Sequence, residues 1–174
     1  IRSCLVGSEM CIRDSLHPLI TACGDVFKVI IEATELRQAS YVLDQGGAML
    51  VLRLPKVDEA SLFKLLRRFA RDTLTCRMAY HAKRFGLSYR AISIRNQSSR
   101  WGSCSTSRCI SLNWRLVMLR PELQDYILLH ELAHLTEMNH SKGFWALLDR
   151  YDPDRIRHEV AINKVSAELM RVCL

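Results

Sequence analysis

The run His130-Glu131-Leu132-Ala133-His134 constrains this chain more than any other feature. Two imidazoles four positions apart share a partner only on a helix, where residues i and i+4 stack on one face roughly 5–6 Å apart. Glu131 then lies about 100° around the helix from His130. The segment must therefore be helical, with its other faces packed. The surrounding residues agree: Pro121 suits the first position of a helix, and Tyr126 to Leu135 supply an apolar face rich in Leu. A His-Glu-x-x-His pentad in this setting points to a Zn2+ site, with His130 and His134 as ligands and Glu131 as the base that takes a proton from water.

Catalytic zinc needs three protein ligands and an open position, and His140 is the expected third. Its return to the metal requires the helix to stop soon after His134, with Asn139 supplying a left-handed turn and Ser141 capping a following helix through Phe144, Trp145, Leu147 and Leu148. His158 and Glu159, on a last helical stretch from Arg155 to Met170, are rivals for the same role. Glu137 is nearer, but as a continuation of the same helix it faces away.

The rest of the chain reads as mixed α and β. Val26–Ile31 and Ala48–Leu54 have strand character and, with the Asp44–Gly47 turn, predict a small antiparallel hairpin or meander. Asp58 suits the N-cap of a long amphipathic helix carrying Leu62, Leu65, Leu66 and Phe69, possibly interrupted near Thr73–Thr75 and ending at Gly86. Ile92 and Ile94, then Ile110, Leu112 and Trp114, alternate with polar residues as two further strands. Between them, Gly102 is expected to adopt a positive φ in a tight turn while Trp101 fills the core. An exposed strand at Arg108–Trp114 offers an edge to an extended substrate, although the sequence names no substrate-binding residue.

Composition narrows the context. Residues 1–15 have no sustained period and look like non-native adapter sequence, leaving 16–174 as one domain. The apolar runs are far shorter than the roughly 20 residues that cross a bilayer, so no membrane partner is expected. Seven cysteines, an odd number without framework spacing, predict a reducing cytoplasm, with Cys104 and Cys109 as small buried hydrophobes rather than zinc ligands. Between Lys64 and Arg100 ten basic residues stand against one acid, Asp72, a net +9 in a chain of +7. Such a field suits nucleic acid or acidic peptides, or is simply a solvated helix face.

Four segments in order resemble the YgjP-like metallopeptidase family: Ser99-Arg100-Trp101-Gly102-Ser103-Cys104-Ser105; Leu112-Asn113-Trp114-Arg115-Leu116; Tyr126 with His130-Glu131-Leu132-Ala133-His134-Leu135; and Asn139-His140-Ser141 with Phe144-Trp145. The resemblance spans about Val26 to Tyr151 and is densest after Asn96. It implies a zincin-like α+β fold, a small and mostly antiparallel sheet over a metal-bearing helix, and a histidine ligand at the position of His140. Metzincins share the histidine spacing, but their glycine after the second histidine is Glu137 here. The resemblance implies a zinc metallopeptidase acting on a peptide or protein. Kinship with WLM and SprT-like proteases of DNA–protein crosslinks raises the alternative of a nucleic-acid-associated zinc protein.

Overall fold

The computed structural model describes residues 19–172, so the segment 1–15 lies outside the described residues. β1 (Leu19–Ala22) and β2 (Asp25–Ala33) form a hairpin closed by Cys23 and Gly24, both at positive φ (54° and 97°). That pair of dihedrals is the two-residue turn whose twist matches antiparallel strands. β3 (Ser40–Asp44) and β4 (Met49–Leu54) form a second hairpin. Asp44 Oδ1 accepts from Gly46 N at 3.1 Å within its turn.

The expected direct hairpin between the segments 26–31 and 48–54 is not formed. β2 and β4 pair in parallel, and the sheet order is β1-β2-β4-β3. The turn read as joining them belongs to β3, a five-residue strand whose exposed face hid its alternation.

α1 (Glu59–Arg84) begins where Asp58 Oδ1 accepts from Ser61 N at 2.8 Å. It ends at Phe85 and Gly86, the latter at φ 65°. No break occurs near Thr73, because its hydroxyl donates to Phe69 O at 3.0 Å and is satisfied within the helix. Leu62, Leu66, Phe69 and Leu74 are buried along one face.

A second sheet follows, ordered β5-β7-β6, from β5 (Ala91–Arg95), β6 (Gly102–Cys104) and β7 (Cys109–Asn113). β5 and β7 are parallel and β6 is antiparallel to β7. β6 is absent from the periodicity because Gly-Ser-Cys has no apolar alternation to show. A single 3-10 turn (Trp114–Met118) leads into α2 (Pro121–Ala133), then α3 (Lys142–Tyr151) and α4 (Arg155–Leu169).

The fold class is α+β, with the anticipated sheet divided into two small mixed ones. One continuous core joins Leu50 and Leu52 of the first sheet, Leu66 and Phe69 of α1, Ile110 and Leu112 of β7, and Leu128 and Leu132 of α2. Among the described residues, no helix is long and apolar enough to cross a membrane.

α2 is further fastened to α1 by a charged contact. Asp125 receives Arg77 Nε at 2.7 Å and Arg77 Nη2 at 2.5 Å, and His81 Nε2 lies 2.9 Å from the same carboxylate. Burial alone would raise the Asp125 carboxyl, but these donors outweigh it and hold it below the usual range.

Candidate metal centre

α2 has Pro121 at its first turn and stops at Ala133, with His134 as its C-cap. The stop does not use a left-handed Asn139; among the described residues the non-glycine residues at positive φ are Cys23, Ala48 and Arg108. Instead the last turn tightens: Leu135 N reaches Leu132 O and Thr136 N reaches Ala133 O, each at 3.0 Å. Backbone donors are thus bonded three residues back, and the chain leaves the helix axis early. Ser141 Oγ then accepts from Phe144 N at 3.3 Å and starts α3, as its residue type predicted.

This reversal brings His140 over His130. Their Nε2 atoms are 3.0 Å apart, and one ligand atom from each of His130, His134 and His140 lies within 4.8 Å of the others. His134 Nδ1 donates to Glu137 O at 3.1 Å, which fixes its tautomer and leaves Nε2 with its lone pair. Glu137 therefore contributes its carbonyl to orientation, while its side chain lies outside the histidine group.

His158 and Glu159 are not brought to this point. His158 Nδ1 sits 2.7 Å from Asp152 Oδ2, and Glu159 pairs with Arg155 at 3.0 Å. Tyr126 stands between the two regions, its ring 6.2 Å from His130 and 6.3 Å from His158.

Aromatic rings wall the cluster. Phe144 stacks on His134 at 4.5 Å, and Trp145 stacks on His140 at 5.4 Å. The spacing that put both residues on a capped helix after His140 identified the helix, but not that these rings would hold the imidazoles.

Glu131 packs against β6, and only 5% of its surface is exposed. A Cβ at Gly102 would come within 2.6 Å of Glu131 Oε1 and 2.7 Å of its Cγ. Gly102 is thus required for close approach, and the expected positive φ is not its role: it sits in a strand. Sequence reasoning noticed the glycine and missed its reason, which is a contact between residues 29 positions apart.

Trp101 is buried, with its indole N–H donating to Ser166 Oγ at 2.8 Å. Asn113 Nδ2 donates to Gln97 O and Arg100 O at 2.7 and 3.0 Å, holding the loop before β6. Arg115 donates to Asn96 Oδ1 at 2.7 Å and to Val172 O at 2.6 Å. Asn113 therefore braces the loop that leads into the strand against Glu131, and Arg115 ties the start of that loop to the C-terminal segment.

Burial controls the electrostatics. It pushes His130 down to about 4, helped by His134 and His140, and it lowers His134 against the pull of the Glu137 carbonyl. The Glu131 carboxyl is pushed up to about 8 by the same desolvation, with the Arg100 guanidinium opposing. Cys104 lies beside it, and burial plus the Glu131 charge raise its thiol to about 11. Cys104 and Cys109 are half-buried and free, and the three histidines are the group among the described residues able to hold a metal ion.

The residues fit such an ion. Three imidazoles converge with no carboxylate among them, a donor set that suits zinc, and Oε2 of Glu131, the residue after His130, is buried with no hydrogen-bond partner among the described residues. An α+β domain with this helix and its returning third imidazole is a metallopeptidase-type domain. The chain belongs to the YgjP-like family: the model of the YgjP-like metallopeptidase domain matches residues 13–164. Among solved structures it is similar to the metallopeptidase zymogen abylysin of Pyrococcus abyssi, at 24% identity and a TM-score of 0.46 over 53% of this chain and 94% of that one. The zymogen jannalysin of Methanocaldococcus jannaschii gives 23% identity and a TM-score of 0.47 over 52% and 94%. No curated protein matches.

Proposed function

We propose that the chain is a zinc-dependent peptidase in which His130, His134 and His140 hold the metal and Glu131 is the general base. The observation that carries this reading is the convergence of three imidazoles within 4.8 Å, with a buried carboxylate at the residue that follows His130 on the same helix. Zinc, when bound, supplies Lewis acidity, bringing the pKa of water to about 7 and polarising the scissile carbonyl. Glu131 takes the proton of the attacking water on its carboxylate and returns it to the leaving amine. His134 stays oriented through its Nδ1 donation to Glu137 O.

The substrate edge differs from the one expected at Arg108–Trp114. β7 is paired on both sides, by β5 and by β6, so it has no free edge. β6 is the edge strand next to α2. Asn113 N bonds Trp101 O at 2.8 Å and Ser105 N bonds Cys109 O at 3.0 Å. By the alternation of an antiparallel ladder, Gly102 and Cys104 then turn their backbone N–H and C=O groups outward. An extended peptide adding to this edge would bring its carbonyl over Glu131 and the histidines. The same reading takes residues 16–174 as one domain, supported by the continuous core, and a reducing cytoplasm, supported by the four cysteines among the described residues, all free.

The test is metal analysis of the purified protein alongside degradation of casein without DNA. Zinc near one per chain with cleavage is expected, and Glu131→Gln should keep the zinc and lose hydrolysis. Zinc loss in that variant, or undiminished turnover, refutes the role of Glu131. The alternative, a nucleic-acid-associated zinc protein, predicts DNA binding with no cleavage of an unstructured protein.

A further inference from the structure

The basic stretch is not a uniform field once folded. Arg67 donates to Ile94 O at 3.0 Å and Arg77 is committed to Asp125, so both are part of the scaffold. Lys64, Arg68, Arg71 and Lys83 are exposed on α1. At 100° per residue these four fall within an arc of about 120° and span about 28 Å, Lys64, Arg68 and Arg71 within two turns and Lys83 about 18 Å further along; Arg84, also exposed, lies about 100° beyond the arc, over the Phe85 ring at 5.0 Å. Asp72, the acid in their midst, accepts from Tyr41 Oη at 2.5 Å. Arg68 lies over the Tyr41 ring at 5.7 Å, a contact that leaves its charge in place. Among the described residues none of these four cations is in an ion pair.

We infer that this stripe on α1 binds the phosphate backbone of nucleic acid, at a surface separate from the histidine cluster. The opposite face of α1 packs against α2, β5 and the first sheet, so the stripe points away from the helix that carries His130. A row of cations along a helix matches a linear polyanion, whose charges recur about every 1.7 Å along duplex DNA. A membrane surface fits less well, because the apolar face of α1 is buried and Tyr80 is the large apolar side chain it exposes. The inference does not depend on peptidase activity.

The experiment measures fluorescence anisotropy of the full chain with a labelled 20-base-pair duplex and with a labelled 20-nucleotide single strand. If four phosphates are neutralised, duplex affinity should fall about 150-fold between 50 and 200 mM salt, and single-strand affinity about 50-fold. Arg68→Glu with Arg71→Glu should weaken binding at least tenfold and flatten the salt slope by about two, while zinc content and casein cleavage are unchanged. Lys64→Glu with Lys83→Glu, made independently, should do the same. Arg157→Glu with Lys164→Glu on α4 should bind as wild type, and Glu131→Gln should bind as wild type even though it is inactive. No binding at 50 mM salt, salt-insensitive binding, equal loss in the α4 variant, or tighter binding to phosphatidylserine vesicles than to DNA would each overturn the inference.

Discussion

Gly102→Ala tests the contact between β6 and the helix that carries Glu131. The added methyl carbon would lie 2.6, 2.7 and 2.8 Å from Glu131 Oε1, Cγ and Cδ. Ordinary van der Waals contact lies near 3.5 Å, so the side chain must retreat by about 0.7–0.9 Å or β6 must lift by a similar amount. Glu131 is 5% exposed, and the close atoms include its Cγ and Cδ as well as Oε1, so turning the carboxylate alone does not relieve the contact. Overpacking of this kind costs about 1–3 kcal/mol of stability. Displacing a reacting group by nearly 1 Å costs about a hundredfold in rate, or about 2.7 kcal/mol of transition-state stabilisation.

The three atoms nearest that methyl carbon all belong to Glu131 and none to a histidine, so zinc content should be unaffected. The assay is kcat/KM on a fluorogenic unstructured protein, read with zinc stoichiometry and Tm. Gly86→Ala is the matched control. Its φ is 65° and a Cβ there meets nothing within 4 Å, so it should cost about 1 kcal/mol of stability through backbone strain and leave kcat/KM alone. A Gly102→Ala enzyme with wild-type kcat/KM would refute the steric account. Loss of zinc in that variant would also refute it, because the disturbance would then have reached the histidines.

Three further outcomes are expected. His140→Ala should lower zinc affinity sharply and abolish hydrolysis, whereas His158→Ala and Glu159→Ala should retain zinc; equilibrium dialysis against a chelator series distinguishes them, and the opposite pattern would move the third ligand to α4. Asp125→Asn leaves Arg77 and His81 without their anion and should cost about 2–3 kcal/mol in urea unfolding at pH 7, less than a fully buried pair because both partners are one-fifth exposed. The Asp125 carboxyl is held below its usual range, so its contribution is present above about pH 4 and disappears as pH falls through the lower folded value; the gap between wild type and variant should close on acidification, and a gap that persists at pH 2 would contradict the assignment.

What the sequence determined by itself was local. The periodicity of a helix places His130 beside His134 and turns Glu131 aside whatever the rest of the chain does. Likewise Asp58, Ser141 and Pro121 mark helix starts because caps act within three residues. The place of His140 was half legible: six positions after His134 limit its reach, but the return is made by a tightened last turn rather than by Asn139.

Tertiary structure alone decided the remainder, because those contacts join residues whose separation leaves no periodic trace. β3 slips between its neighbours in sequence to make β2 and β4 parallel, and β6 has too few apolar residues to announce a strand. Only packing puts Gly102 against Glu131 and Arg77 against Asp125, and only packing sorts the ten cations of the 64–100 stretch into scaffold and surface. A helix period carries information about neighbours four residues apart, whereas the environment of Glu131 is set by a strand 29 residues away, and that distance is closed by the shared hydrophobic core.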